Sequence, residues 1–159
     1  MKRRIGVISD SHGDMGHLNM AMMKLEAEGP LDALIHCGDH AGDAEAVGGN
    51  ILQVAAVRGN CDGWMDKSPL EMELVIGGVR FFITHGHKYG VKSDIETLSQ
   101  IAAAKGAQIC CFGHTHIPRC EYRNGVLMLN PGACLYTGNC ALIETDGQGG
   151  FQVRMLTVD

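Results

Sequence analysis

Five short apolar segments of this chain each run into a small polar turn that carries glycine, and no other pattern in it constrains the fold as much. Ile5–Ile8 leads into Ser9-Asp10-Ser11-His12-Gly13, and Leu34–Ile35 into His36-Cys37-Gly38-Asp39-His40. Val54–Val57 leads into Arg58-Gly59-Asn60-Cys61-Asp62. Phe81–Ile83 leads into Thr84-His85-Gly86-His87, and Ile109–Phe112 into Gly113-His114-Thr115-His116. In an α/β sheet, ligands bind beyond the carboxyl ends of the strands. Five such turns at one edge put two carboxylates, an amide and several imidazoles into one cleft. Asp10/His12 and His114/His116 are spaced i, i+2, so on an extended segment each pair aims two side chains at one point. Gly13, Gly38, Gly59, Gly86 and Gly113 let the backbone turn sharply and come close to an ion.

The segments between these turns read as an α/β chain. Arg4–Ser9, Ala33–Cys37 and Ile51–Val57 have strand character. They alternate with helical patterns at Leu18–Ala27, with Gly29-Pro30 after it, and at Asp43–Val47. Alternation of this kind predicts parallel βαβ units. Later, Glu71–Ile76 and Val79–Thr84 flank Gly77-Gly78 as a hairpin, Asp94–Lys105 is a helix closed by Gly106, and Gln108–Phe112 is a strand. Arg119–Tyr122 and Val126–Leu129 form an Asn124-Gly125 hairpin, and Cys140–Glu144 and Phe151–Leu156 a longer one. The expectation is α/β early and antiparallel late, in two packed sheets.

Composition narrows the function. The 159 residues suit one domain, residues 1–159, and 45% hydrophobic content is enough for a core. Net charge is −5 and no basic cluster exceeds Lys2-Arg3-Arg4, so stable nucleic-acid binding is not expected. No apolar run approaches the ~20 residues of a membrane span, and the N-terminus has no signal-peptide core; a cytoplasmic protein with no membrane role is expected. Seven cysteines, without a C-x-x-C pair, read as reduced thiols that are mostly buried.

Taken in order, D-x-H, G-D, G-N, an H-G turn and G-H-x-H resemble the calcineurin-like metallophosphoesterase superfamily over about Arg4 to Cys140. Short length, Gly-Asn-Cys-Asp and Asn130-Pro131-Gly132 are similar to its small bacterial and archaeal phosphodiesterase branch, whose neighbourhood includes the eukaryotic retromer subunit. The resemblance implies two mixed β-sheets packed as a sandwich with flanking helices. It also implies two metal ions: one on Asp10, His12 and His116, the other on Asn60, His85 and His114, with the Asp39 carboxylate bridging. Asp39 and Asn60 then belong to the catalytic machinery. Four imidazole ligands disfavour Ca²⁺ and Mg²⁺ and point to Mn²⁺, which is favoured, or Zn²⁺, Fe or Ni²⁺. Two divalent ions and two carboxylates leave a site charge of roughly +2, suited to an anionic phosphoester. A hydroxide bridging the ions would attack phosphorus, with no side-chain nucleophile.

One departure bears on catalysis. Many family members carry a histidine where this chain has Cys61, and a thiol with pKa near ~8.5 is a poorer proton donor to the leaving group. The expectation is therefore a phosphodiesterase that prefers good leaving groups, with His87 or His17 as substitute acids; His87 also stands to contact the phosphate. Cys61 is read as packing near the site, His36 as structural, His40 as a support or cap, and His17 as solvent-exposed. Asp62 is read as orienting its own turn, Arg58 as an ion pair, and Met20, Met22 and Met23 as helix packing. Ala133 stands where the family often has serine. The alternatives are a phosphomonoesterase or protein phosphatase, a scaffold of the same fold, and a nuclease, which the charge weakens. The partner is a small phosphoester substrate, and self-association through the late hairpins is left open.

Overall fold

The computed structural model describes residues 2–158. Strands β1 (Arg4–Ile8), β2 (Ala33–His36) and β3 (Gln53–Ala56) alternate with helices α1 (Met15–Leu25) and α2 (Asp43–Val47). Strands β4 (Glu71–Ile76) and β5 (Val79–Thr84) follow, then a 3-10 turn at His87–Tyr89, helix α3 (Glu96–Ala104) and strand β6 (Ile109–Cys111). Two hairpins, β7 (Arg119–Arg123) with β8 (Val126–Asn130) and β9 (Cys140–Thr145) with β10 (Phe151–Leu156), complete the chain.

The strands form two five-stranded sheets, ordered β10-β9-β1-β2-β3 and β4-β5-β6-β8-β7. Both sheets are mixed: β1, β2 and β3 are parallel, as are β5, β6 and β8, and the remaining pairings are antiparallel. The sandwich implied by the resemblance is therefore present. The simpler division into an early α/β half and a late antiparallel half is not. The last hairpin returns to the first sheet, where β9 lies against β1, and the second sheet has a parallel centre.

Strand alternation builds the layers. Ile5 and Val7 of β1, Ala33 and Ile35 of β2, and Val79, Phe81 and Ile83 of β5 all face one core between the sheets. The residues in between face outward to the helices. Ile8 and Leu34 join Leu18, Met22 and Leu25 of α1, while Phe82, Cys110 and Met128 join Leu98 and Ala102 of α3. Side chains of period two on each strand thus cover both faces, which accounts for the near-continuous apolar runs.

Most expected elements lie within one to three residues of their predicted bounds. Helix α1 starts earlier than the apolar pattern indicates, because Asp14 caps it and accepts the His17 backbone N–H at 3.2 Å. Before α3, whose N-cap is Ile95, Asp94 Oδ1 accepts the Glu96 N–H at 3.0 Å. Of the three methionines read as packing, only Met22 is buried; Met20 and Met23 face out. Five of the seven cysteines are buried, and Cys61 and Cys120 are exposed. No helix among the described residues is long and apolar enough to cross a membrane.

Candidate metal centre

All five polar turns emerge beyond the carboxyl ends of β1, β2, β3, β5 and β6. Their shape is not extended strand. Asp10, His12, Asp39, His114 and His116 all adopt positive φ, from 48° to 71°. The i, i+2 strand argument for Asp10/His12 and His114/His116 is therefore corrected: left-handed turns, not pleat alternation, direct these side chains. Such φ values are uncommon away from glycine and cluster where a site imposes them. At Gly59 and Gly113 the constraint is space rather than φ. A Cβ on Gly59 would overlap Asp39 Oδ1, and one on Gly113 would lie 2.6 Å from Asp10 Oδ2.

Asp10 and Asp39 are buried, and each commits one oxygen to the surrounding fold. Asp10 Oδ2 accepts the Ser9 hydroxyl at 2.5 Å and the His114 N–H at 3.2 Å. Asp39 Oδ1 accepts the Cys61 N–H at 2.8 Å. The other oxygen of each turns inward. Asp10 Oδ1 lies 3.2 Å from His116 Nε2, 3.9 Å from His85 Nε2 and 4.0 Å from His12 Nε2. Asp39 Oδ2 lies 3.3 Å from His85 Nε2 and 3.7 Å from His12 Nε2. A single Asp39 oxygen, Oδ2, therefore faces the cluster.

One ligand atom from each of Asp10, His12, Asp39 and His116 falls within 4.8 Å of the others. Asp10 Oδ1 and His12 Nε2 are buried with no hydrogen-bond partner among the described residues. Orphaned acceptors of this kind are costly unless something satisfies them. His85 points to the same answer. Its Nδ1 lies 2.7 Å from the Cys37 carbonyl, so Nδ1 carries a proton. Its Nε2 then faces two acceptors, Asn60 Oδ1 at 2.9 Å and Asp39 Oδ2 at 3.3 Å. A cation reconciles these groups, and the donor set fits a divalent transition metal.

A family model, the calcineurin-like phosphoesterase superfamily domain, matches residues 3–147. The chain belongs to this superfamily. It is 39% identical over 127 residues to a probable metallophosphoesterase of Bacillus subtilis, YsnB, covering 80% of this chain and 72% of that protein. It is 29% identical over 150 residues to phosphodiesterase MJ0936 of Methanocaldococcus jannaschii, covering 82% and 84% respectively. Among solved structures, Vacuolar Protein Sorting 29 of Cryptosporidium parvum superposes with a TM-score of 0.77, covering 99% and 98% of the two chains. At 20% identity that likeness is one of fold.

The electrostatics of this phosphoesterase domain follow from burial and crowding. Burial raises the Asp10 pKa, against the hydrogen bond from Ser9. Burial also pushes Asp39 up, but the His85 and Cys61 hydrogen bonds outweigh it and hold the carboxyl well below its usual range. Desolvation by burial lowers His114 to about 4, so its imidazole is neutral at pH 7 and free to act as a ligand. The His114 ring sits edge-on to His85 at 5.0 Å. His87 lies in the 3-10 turn with its ring 5.4 Å from His85 and 6.1 Å from His114. Its Nδ1 has no hydrogen-bond partner among the described residues.

Other expectations resolve individually. Asp62 does more than orient its own turn. Oδ2 accepts the Asp39 and Gly59 N–H groups at 3.0 and 2.8 Å, and Oδ1 accepts those of His40 and Ala41 at 2.8 and 3.1 Å. It thereby locks the turn after β2 to the turn after β3. His36 is buried and structural: Nδ1 accepts the Gly38 N–H, so Nε2 donates to Ser11 Oγ, which donates to Asp43. His40 pairs with Asp43 at 2.8 Å. His17 is not free in solvent; it is half-buried against Asp14 at 2.9 Å. Arg58 makes no ion pair among the described residues and donates to the Asp66 carbonyl instead. Cys61 is exposed, so its backbone N–H on Asp39 matters more than its packing. Sequence reasoning overlooked Ser9, the hydroxyl on Asp10. It also overlooked the side chain of Asn130, which donates to the Gly113 carbonyl at 3.1 Å and to Thr115 Oγ1 at 3.0 Å. Only its place in the Asn-Pro-Gly turn hinted at this.

Proposed function

We propose that this chain is a phosphodiesterase working with two divalent metal ions, Mn²⁺ favoured. Asp10, His12 and His116 would hold the first, and Asn60, His85 and His114 the second, with Asp39 shared. One observation carries the reading: Asp10 Oδ1 and His12 Nε2, both buried and without a hydrogen-bond partner among the described residues, converge with Asp39 Oδ2 and His116 Nε2. Ions bound there supply Lewis acidity toward phosphoryl oxygens and bring the pKa of water toward neutrality.

The chain's own groups place and tune the site. Cys37 O fixes the His85 tautomer, Asp62 fixes the Asp39 turn, and Asn130 fixes the turn bearing His114 and His116. Asn60 and His87 flank His85, and His87 is assigned contact with a phosphoryl oxygen of the substrate. Burial and the nearby Asp39 charge raise the Cys61 thiol pKa, making it a weaker acid than a free thiol. A substrate with a good leaving group needs no such donor, which favours activated diesters. Small phosphoesters in a cytoplasmic setting accord with this reading.

The test is hydrolysis of bis(4-nitrophenyl) phosphate against 4-nitrophenyl phosphate by metal-stripped protein resupplied with Mn²⁺. The diester should be turned over faster. Equal or faster monoester hydrolysis would replace the diesterase reading with a monoesterase, and no turnover of either would indicate a scaffold.

A further inference from the structure

A cleft of about 340 Å³ opens between residues 91–95 and the turn that carries His114 and His116. Its floor is apolar, with Val91, Ile95 and Phe112 all buried. Its polar groups are dominated by donors. Thr115 lies between the two histidines, and its Oγ1 accepts from Asn130 Nδ2 at 3.0 Å and from the Ile117 N–H at 3.2 Å. Both lone pairs are engaged, so the hydroxyl proton is left to donate. Lys92 lines the cleft and has no ion-pair partner among the described residues. The other charges there are partly spent: Arg119 Nε pairs with Glu121 at 3.1 Å, and Asp94 Oδ1 accepts the Glu96 N–H.

We propose that this cleft receives one ester arm of the substrate and selects an arm with an apolar ring bearing an anionic group. The ring packs on the floor, and Lys92 and the Thr115 hydroxyl read the charge. Thr115 shares its turn with two of the proposed metal ligands, so the cleft adjoins the metal centre through that turn. The inference rests on the phosphodiesterase reading and deepens it by naming the substrate class.

Two diesters with the same leaving group separate the two ideas: 4-nitrophenyl phenyl phosphate and 4-nitrophenyl 4-carboxyphenyl phosphate, with nitrophenolate release followed on Mn²⁺-loaded protein. The carboxylated diester should show a KM lower by about fivefold at low ionic strength, an advantage that shrinks as salt screens it. Lys92→Ala should bring the KM ratio near one, and Lys92→Glu should invert it. A ratio near one in the wild type, or a preference that survives Lys92→Glu, overturns the arm proposal while leaving the diesterase reading intact. Failure to hydrolyse either diester overturns both.

Discussion

At the scale of single residues, the two carboxylates show how the site is prepared. Asp10 and Asp39 each hold one oxygen against the fold and present the other to imidazoles. Asp39→Asn keeps an acceptor for the Cys61 N–H but replaces the inward charge with a neutral amide. We expect turnover with Mn²⁺ to fall about 100-fold or more, with an unchanged far-UV circular dichroism spectrum; full retained turnover would remove Asp39 from the shared role proposed for it. Residue types were legible here because carboxylates, imidazoles and an amide after apolar runs have few other uses in combination. Their aim was not legible. Positive φ at Asp10, His12, Asp39, His114 and His116 is imposed by tertiary contacts such as the bond from the Asp10 N–H to the Gly38 carbonyl, and no local signal announces it.

At the scale of elements, the turns behave as one unit because Asp62 joins two of them. Its carboxylate takes four backbone N–H groups from Asp39, His40, Ala41 and Gly59. Asp62→Ala leaves those donors without their acceptor. The expected cost is about 3 kcal/mol in urea denaturation, with Mn²⁺ affinity reduced about 10- to 100-fold by calorimetric titration. Wild-type metal affinity in the variant would show that the β2 and β3 turns hold their shape unaided. Asp62 was readable as a turn-orienting residue, but its reach across to the β2 turn depends on strand order. Strand and helix positions were readable from periodicity, and the hairpins from Gly77-Gly78 and Asn124-Gly125, all at positive φ. The 3-10 turn at His87–Tyr89 was not, since one turn carries no period.

At the scale of the whole molecule, sheet order was the least legible feature. Nothing local in Cys140–Thr145 says that it pairs with β1 rather than with β8. Two whole-molecule properties can be measured. Adding Mn²⁺ to metal-stripped protein should raise its thermal midpoint, by the equivalent of about 2.7 kcal/mol at a hundredfold excess over Kd, and chelation should reverse it. An unmoved midpoint would argue that the orphaned acceptors bind no ion.

Acid sensitivity follows from the buried His36, whose pKa desolvation lowers from 6.5 to about 4, against the pull of Asp43. Between those values the unfolded chain binds a proton that the folded chain does not, so stability rises with pH. It is full above pH 6.5 and drains as pH falls toward 4, by roughly 3 kcal/mol from this group. His114, depressed the same way, adds to the slope. Urea denaturation of metal-free protein across this range should be flatter in His36→Gln; an identical slope would acquit His36.

Because β9 closes the open flank of β1, the order of synthesis matters. A nascent chain exposed as far as His116 already contains every proposed ligand. Its first strand would still lack the neighbour supplied by residues 140–145, and Asp10 would lack the Leu135 N–H that its carbonyl accepts. Possessing the ligands and being able to present them are thus separated by the synthesis of residues 117–145.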